Sequence, residues 1–435
     1  MTIVRTFALA GALALTVVAA AQPAGRKSWN EGWTFSRDRT ICAVMLPHIW
    51  ETERPEQATY TKILTLSPRD LQKDLRLELD GALGGALVYV NGSEVGVCAD
   101  SARAVELNPY LSAGNNVVEI IQEGRRGGLH RDVWLTATEK TSVAYGGLSI
   151  TAQPLSGGRA RVSLRIRLKS DSLQEAGIHS SVLYCGAGGE QMAAECRSRE
   201  RVYDGKEVEQ LFDLEDVQLW TPQTPNRYVV RVTIEGADGS RDIYSKFFCV
   251  RGADVPLKGV SLRREDRVFG DLWQEDALAR CLVKLHGMGY NALCVGKESY
   301  APGLPELCDR LGFVLSRDLS AKESIADLLD ADGFPLAQEK GRAPGSAFKL
   351  SPSVDYQGSE LCYVVVDVLD RAGTRVPGTA ARLSFTLQGP AHLVTPGTDV
   401  PASTGRVLAI VRRTGEGPVT LSVTARGFRK AVISL

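Results

Sequence analysis

Acidic residues in two predicted loops of this sequence lie where paired carboxyl groups could carry out acid–base chemistry. Glu265 and Asp266 follow a predicted strand at residues 257–260, and Glu298 follows a second predicted strand at residues 291–295. Because the loops after neighbouring parallel strands meet at one edge of the sheet, Glu265 and Glu298 could approach each other there as an acid/base pair. The side chains of the adjacent Glu265 and Asp266 normally point apart, so the favoured interpretation is a solvated loop with ordinary surface charges.

The residue types that act as nucleophiles or metal ligands are scattered along the chain. The five histidines are His48, His130, His179, His286 and His392, and their spacing predicts neither a catalytic triad nor a metal cluster. The nine cysteines contain no CxxC pair, so the sequence predicts no zinc site and no cofactor. An odd number of cysteines leaves at least one thiol unpaired or joined to another chain.

Cys185 and Cys196 flank a glycine-rich turn, which leaves two interpretations open. The two cysteines either bridge a hairpin as a disulfide or remain buried free thiols, and the second interpretation is favoured.

Three tryptophans near the start of the chain, Trp29, Trp33 and Trp50, could stack on a sugar ring. Packing in a core is the favoured interpretation, since large aromatic side chains dominate core energetics. Asn91 and Asn115 are predicted to serve turns, because asparagine tolerates left-handed backbone and bonds its own main chain.

Composition excludes several classes of protein. The chain has 435 residues, enough for about three domains, and its 51 Lys+Arg balance its 51 Asp+Glu. A neutral chain lacks the basic surface that nucleic-acid binding requires, so no nucleic-acid partner is predicted. With 44% hydrophobic and 23% charged residues the chain is globular, and its single long apolar run lies at the N-terminus.

That run has the layout of a secretory signal. Arg5 gives a positive start, residues 7–20 are apolar, and small residues precede Gln22. About fourteen apolar residues are too few to span a membrane. We therefore predict cleavage near Ala21 and export to a periplasm or beyond.

The elements that would position the candidate residues fall into three β-rich blocks and one mixed block. Short alternating stretches up to about residue 252 predict two β-sandwiches, and residues 160–168 alternate apolar side chains with arginines. From residue 257 the pattern becomes βαβαβ. One predicted helix carries a stripe at Leu278, Cys281, Leu282 and Leu285. Alternation returns from Phe348 and predicts a third sandwich.

Motifs in these blocks resemble the family 2 glycoside hydrolases, the β-galactosidase and β-glucuronidase group. The matching stretches are Asn30-Glu31-Gly32-Trp33, Val88-Tyr89-Val90-Asn91-Gly92, Gly128-Leu129-His130-Arg131-Asp132-Val133-Trp134, Leu219-Trp220-Thr221-Pro222, Gly287-Met288-Gly289-Tyr290-Asn291 and Leu307-Cys308-Asp309-Arg310-Leu311-Gly312-Phe313. A C-terminal stretch, Val366-Asp367-Val368-Leu369-Asp370, is similar to a sandwich appended to some members. The resemblance implies a sugar-binding jelly roll, an immunoglobulin-like domain, a catalytic barrel and an appended sandwich, in that order.

The same resemblance shows what the chain lacks. A complete (β/α)8 barrel needs about 200–250 residues, and the mixed block here has about 95. The family's acid/base follows an Asn in an Asn-Glu motif, and the only Asn-Glu here is Asn30-Glu31, in the jelly-roll motif. The family's substrate-facing Arg-Thr-Ser-His falls on Cys294, Val295, Gly296 and Lys297, and its paired histidines fall near Arg263 and Arg264. Both catalytic glutamates are therefore predicted to be absent, with Glu265 and Glu298 as the only weak replacements.

The sequence thus predicts a mainly β, multidomain protein: a jelly-roll β-sandwich, an immunoglobulin-like β-sandwich, a shortened (β/α) barrel remnant and a C-terminal immunoglobulin-like β-sandwich. The predicted segments are a signal peptide at 1–21 and domains at 22–140, 141–252, 253–346 and 347–435. The first functional hypothesis is an exported, non-catalytic, carbohydrate-associated relative of the family. The alternatives are an active β-glycosidase and a structural or protein-binding scaffold.

Overall fold

The computed structural model describes most of the chain. The described residues are 22–99, 101–252, 255–263, 275–296, 300–317, 321–330, 332–336, 343–359 and 361–435. Glu265, Asp266 and Glu298 lie outside these ranges, as does the predicted signal segment. The chain divides into two compact units, one comprising the residues up to Glu275 with Leu285–Ile325, the other Asp276–Lys284 with Ala326–Leu435.

The first sandwich is a jelly roll of two antiparallel sheets. Its strands, together with a first strand that joins the next domain, are β1 Gln22–Pro23, β2 Arg26–Ser28, β3 Trp33–Arg37, β4 Thr40–Val44, β5 His48–Leu66, β6 Asp74–Leu79, β7 Ala86–Val90, β8 Ser93–Cys98, β9 Arg103–Glu106, β10 Gly114–Leu129 and β11 Val133–Thr138. The sheet orders are β4-β3-β5-β10-β7-β8 and β2-β11-β6-β9. Alternating burial along β7 puts every second side chain in the core, as its sequence predicts.

Two predicted turn residues behave differently. Asn91 and Gly92 both have positive φ, 51° and 79°, in the tight turn that joins β7 to β8, so the turn prediction for Asn91 is confirmed. Asn115 instead lies in β10 opposite Thr65, whose hydroxyl donates to its side chain at 2.7 Å. The turn prediction for Asn115 is therefore wrong, because the strand begins one residue earlier at Gly114.

The second sandwich is immunoglobulin-like. Its strands are β12 Ser142–Leu155, β13 Arg159–Lys169, β14 Gln174–Gly186, β15 Gly189–Val202, β16 Glu207–Leu214, β17 Arg227–Glu235 and β18 Arg241–Phe248. The sheet orders are β12-β13-β16 and β1-β18-β17-β14-β15. The N-terminal strand β1 pairs with β18, whereas β2, three residues further on, pairs with β11 of the jelly roll. One short segment thereby ties the first two sandwiches together.

Cys185 and Cys196 do not form a disulfide across the hairpin of β14 and β15. Cys185 lies opposite Glu190, and Cys196 lies opposite Ser180. The two cysteines are thus offset by five residues along the strands, about 16 Å at 3.3 Å per residue, whereas a disulfide needs Cα atoms within about 7 Å. All nine cysteines are free thiols, so the favoured interpretation of Cys185 and Cys196 as free thiols is confirmed, although both are half-buried rather than buried.

The mixed block forms three parallel strands with helices between them. The elements are β19 Gly259–Leu262, α1 Glu275–Gly287, β20 Ala292–Val295, α2 Leu304–Leu311, β21 Val314–Ser316 and a short α3 Ile325–Leu328. The sheet order is β19-β20-β21, and the described residues contain no closed barrel. Gly312 ends α2 in a left-handed conformation, as its position in the sequence predicts. A Cβ at Gly312 would lie 2.2 Å from the carbonyl oxygen of Pro222.

The free side of β19 is covered by the chain that follows β21. Ser261 and Ser324 form an isolated parallel bridge, and the Ser261 amide donates to the Glu323 carbonyl at 2.9 Å. The Glu323 carboxylate accepts a hydrogen bond from the Tyr290 hydroxyl at 2.5 Å. In a closed barrel the eighth strand flanks the first strand on this side, so a single bridging residue occupies that place here.

The third sandwich contains β22 Lys349–Gln357, β23 Leu361–Leu369, β24 Arg382–Gln388, β25 Ala391–Leu393, β26 Val400–Pro401, β27 Arg406–Arg413, β28 Thr420–Ala425 and β29 Ala431–Ser434. Its sheet orders are β22-β23-β27-β25 and β26-β24-β28-β29, and a core of Val, Leu, Phe and Ala side chains lies between them. The predicted fold class is confirmed. The predicted domain boundaries stay predictions.

The middle of α1 is anchored to this third sandwich by charged side chains. Arg280 is 3% exposed, donates to Asp355 and lies over the rings of Phe334 at 4.8 Å and Tyr363 at 5.3 Å. Asp276 accepts the backbone amide of Leu361 at 3.0 Å. The two anchors are four residues apart and therefore lie on one face of the helix.

Candidate functional site

The three parallel strands end side by side, which is where the predicted acid/base pair would have to lie. Leu262 is in register with Val295, and Cys294 is in register with Ser316. At this edge the Arg317 guanidinium lies 5.0 Å from the centre of the Tyr300 ring. Glu265 and Glu298, the weak catalytic candidates, fall outside the described residues, so their separation stays a prediction.

The position where the family resemblance places an arginine is a packing residue. Cys294 is 4% exposed, and its Sγ lies 2.9 Å from where a Cβ at Gly259 would be. Burial raises the pKa of the Cys294 thiol, so the side chain is a neutral thiol at ordinary pH. Val295 is also buried. Neither side chain can orient a carboxylate or a sugar hydroxyl as a guanidinium would.

The tryptophans and histidines serve the jelly-roll fold. Trp33 is 1% exposed and Trp50 6% exposed, so both pack in the core as favoured from the sequence. Trp29 is half-buried, meets Trp33 edge to face at 5.0 Å and lies under the Lys62 ammonium at 4.3 Å. His48 bonds the Tyr60 hydroxyl at 2.8 Å. Among the described residues no group of three or more His, Cys, Asp or Glu could hold a metal ion.

The most polar buried region is a network in the smaller jelly-roll sheet, formed by Arg26, Arg76, Glu78, Asp80 and Trp134. Glu78 is 2% exposed and lies 2.8 Å from Nε of both Arg26 and Arg76. Asp80 accepts the indole N–H of Trp134 at 3.0 Å and lies 3.6 Å from Arg26. The Arg26 guanidinium stacks 3.9 Å above the Trp134 ring. We call this group the jelly-roll charge network.

The two carboxyl groups of this network have opposite pKa shifts. Burial alone would raise the pKa of Glu78, but the guanidinium groups of Arg26 and Arg76 outweigh burial and hold it below its usual range. Burial raises the pKa of Asp80 to about 6, because one distant guanidinium and one indole N–H do not compensate for it. Of the two carboxyl groups in this network, Asp80 is therefore the one that ionises closer to neutral pH.

Sequence reasoning missed this network. The stretch Arg76-Leu77-Glu78-Leu79 alternates like a half-exposed strand, yet all six residues of β6 are buried. Tyr145 of β12 lies 5.4 Å from the Arg76 guanidinium, so the second sandwich covers the outer face of β6. A pair of opposite charges two residues apart was the only signal in the sequence.

Motif residues elsewhere in the jelly roll bond one another. The Asn30 side-chain amide donates to Asp132 at 2.8 Å and accepts the Val133 amide at 2.8 Å. Since these residues are about a hundred positions apart, the contacts fix the two motif segments side by side. In the second sandwich, the indole N–H of Trp220 donates to the Asp309 carbonyl at 2.7 Å and so anchors α2.

Comparison with known proteins agrees with this architecture. The family model described as "Glycosyl hydrolases family 2" matches residues 131–251, and the model described as "Glycoside hydrolase family 2 C-terminal domain 5" matches residues 351–434. These two regions of the chain are domains of glycoside hydrolase family 2. The two matched regions are the second and third sandwiches, on either side of the shortened parallel sheet.

Individual proteins of family 2 are similar to this chain in sequence or in structure, over different fractions of its length. A β-galactosidase of Bacteroides ovatus is 27% identical over 285 residues, covering 59% of this chain but 33% of its own length, so this chain spans a third of that curated relative. A family 2 member of Bacteroides cellulosilyticus has a similar fold, with a TM-score of 0.75, 14% identity and coverage of 94% of this chain and 100% of that one. A Bacteroides uniformis β-glucuronidase gives a TM-score of 0.58 at 21% identity, over 67% of this chain and 41% of its own.

Proposed function

We propose that this chain is an exported, non-hydrolytic member of family 2 that associates with carbohydrate. The observation that carries the proposal is the length between β21 and β22. About 30 residues separate Ser316 from Lys349, whereas a (β/α)8 barrel would need five further strand–helix units there. Of those residues, the described ones form one short helix and isolated bridges.

The loss of hydrolysis follows from the chemistry that a retaining glycosidase needs. Two carboxyl groups about 5–5.5 Å apart must act on one glycosidic bond, one as nucleophile and one as acid and then base. The family resemblance places both on later barrel strands, for which this interval is too short. The described edge of the parallel sheet offers Arg317 and Tyr300, and neither can replace a carboxylate nucleophile there.

A hydrolysis screen tests this part of the proposal. We expect purified protein to release no chromophore from aryl β-galactosides, β-glucuronides or β-mannosides above the buffer rate. Turnover that disappears in Glu265→Gln or Glu298→Gln, but persists in the exposed control Glu207→Gln, would refute the proposal and identify an active β-glycosidase.

Association with carbohydrate is supported by the jelly roll and by the names of the relatives. The chain retains the three non-barrel domains that accompany sugar chemistry in family 2, in the order of the resemblance. A glycan array with intact protein should show binding to at least one glycan class. Absence of binding across the array would favour the structural or protein-binding scaffold instead.

Export is supported by the residue pattern of the first 21 positions, which lie outside the described residues. No helix in the described part of the chain is long and apolar enough to cross a membrane. Mass spectrometry of the protein from its native cells should find an N-terminus at Gln22. Recovery of the chain with Met1 attached would contradict the export proposal.

A further inference from the structure

Gly177 lies in the middle of β14 without any structural requirement for glycine. Its φ is not positive, and a Cβ built there would meet only the Glu235 side chain at 3.7 Å and the Glu235 carbonyl oxygen at 4.0 Å, which is ordinary contact. Glycine weakens a strand because it adds backbone entropy to the unfolded chain and has no side chain to pack. In strand interiors glycine often marks a bulge, a tight bend, or a place where a ligand or another backbone approaches closely, and the register shift of β14 lies at Val182–Leu183 and not at Gly177.

The residues beside Gly177 form the two walls of a slot. Arg199 of β15 and Glu235 of β17 are its register partners on either side, and directly opposed residues project from the same face of a sheet. Both side chains are exposed. Neighbouring strands lie about 4.8 Å apart, so the Cα atoms of the two walls are about 10 Å apart. With Gly177 as the floor, the slot has about the width of one pyranose ring.

The slot has a cationic rim on its β15 side. β15 is an edge strand, and Arg197, Arg199 and Arg201 all project from its exposed face. Glu195 is the acidic neighbour, 3.5 Å from Arg197 and 3.2 Å from His179.

Within the described part of the chain no carboxylate lies within ion-pair distance of Arg199 or Arg201. The opposed position of Arg199 is Gly177 itself, and that of Arg201 is Glu175.

The opposite sheet of the same sandwich shows what arginines with a purely structural role look like. Arg161 of β13 is in register with Asp213 of β16 and bonds it twice, at 2.8 and 3.3 Å. Arg165 is in register with Glu209 and lies 3.3 Å from it. Each of these arginines is neutralised across the strand pair, whereas Arg199 faces a glycine.

We propose that the slot over Gly177 binds a uronic acid residue of an acidic polysaccharide. The guanidinium of Arg199 is suited to pair with the sugar carboxylate through two parallel hydrogen bonds. On the other wall, the Glu235 carboxylate accepts hydrogen bonds from neighbouring hydroxyl groups of the ring. Arg197 and Arg201, each about 7 Å along the strand from Arg199, are placed to attract the carboxylates of adjacent sugar units.

A simple polyanion surface does not account for this arrangement. Glu175, Glu195 and Glu235 lie among the arginines, so the face carries both signs of charge. Such a face favours a ligand that offers one carboxylate and several hydroxyl groups over a densely sulfated chain. The competing explanation is that charges on an edge strand serve only to prevent strand pairing between molecules.

The test is calorimetric titration of the full chain with oligogalacturonate and with the same oligomer after reduction of its carboxyl groups to alcohols. We expect binding to the acidic oligomer, at least tenfold weaker binding to the reduced one, and weakening by added salt. Gly177→Val should fill the slot with a residue that suits a strand, and Arg199→Ser should remove the carboxylate partner. Each change should weaken binding at least tenfold while circular dichroism and the melting temperature show an intact fold.

Matched controls separate this site from general charge effects. Arg161→Ser removes an arginine from the opposite sheet, and Gly188→Val alters a glycine at the β14–β15 turn that has open space around it. Both should bind as the unmodified chain does. Equal binding by Gly177→Val, equal binding of the reduced oligomer, or no binding at all would overturn the proposal, the last outcome favouring edge protection. The site is remote in sequence from the parallel strands, so detection of hydrolysis would refute the proposed function without deciding this one.

Discussion

Replacing Asp80 by asparagine should stabilise the protein, and more so as the pH rises. The Asp80 carboxyl is largely buried, and burial raises its pKa from 3.8 to about 6, with Asp132 and Glu78 adding repulsion. A group with a raised folded pKa holds a proton in the folded state that the unfolded chain has already released. Stability therefore falls as the pH rises from about 4 to about 6, and the cost is fully present above pH 6.

The size of the effect follows from the same shift. A difference of about two between the folded and unfolded pKa corresponds to about 3 kcal/mol at pH 8. Asp80→Asn removes that cost, keeps an oxygen to accept the Trp134 indole N–H, and loses the weak attraction of Arg26 at 3.6 Å. We expect the free energy of unfolding to increase by about 1–3 kcal/mol at pH 8 and hardly at all at pH 4. Urea unfolding at the two pH values measures this difference.

Asp74→Asn in the same strand is the matched control. Burial opposes ionisation of Asp74, but the ammonium groups of Lys140 and Lys169 outweigh it and hold its pKa below the usual value. This variant should lose stability at pH 8 and lose less at pH 3, the opposite dependence. An Asp80→Asn variant that is destabilised more at pH 8 than at pH 4 would refute the reasoning, because Arg26 would then outweigh burial.

Two further variants, each paired with a control variant, test backbone packing at Gly312 and a charged contact at Arg280. Gly312→Ala should cost about 2–4 kcal/mol, because it combines a positive φ of 76° with a Cβ 2.2 Å from a backbone oxygen. Gly92→Ala, with φ of 79° and open space, should cost about 1 kcal/mol, and equal losses in thermal melts would refute the clash. Arg280→Ala should cost about 3 kcal/mol by urea unfolding, because it removes a buried guanidinium that pairs with the partly exposed Asp355 and lies over two aromatic rings. Arg161→Ala, on an exposed ion pair, should change stability little, and an equal loss there would show that burial does not matter.

The sequence predicted strands and helices where one face of the element is buried and the other is exposed to solvent. Burial alternates along β13 as apolar and polar residues alternate in its sequence. Gly312 ends α2 directly after the apolar stripe of the helix, which is where the sequence predicts the helix to end. These features depend on local periodicity and backbone sterics, which the sequence contains directly.

What the sequence could not predict depends on contacts between distant segments. The polar residues Arg76 and Glu78 are buried because β12 lies over β6, and nothing near them in the sequence indicates that cover. Likewise Arg280 looks like part of the solvated face of an amphipathic helix, yet the third sandwich supplies its carboxylate partner Asp355 and the ring of Tyr363. The offset of Cys185 from Cys196 depends on hairpin register, which is set by turn length and bulges.

The outer edge of the three-stranded parallel sheet is covered at one point by the segment that contains Glu323. A strand edge left by simple removal of five barrel units would expose unpaired backbone groups along β19. Here the Ser261 amide is paired with the Glu323 carbonyl, and the Glu323 carboxylate accepts the Tyr290 hydroxyl from the segment before β20. Residues before the interval between β21 and β22 and a residue within it therefore cover one edge together. The outer edge of β19 is therefore paired within this chain at Ser261, where the next strand of a longer sheet would otherwise lie.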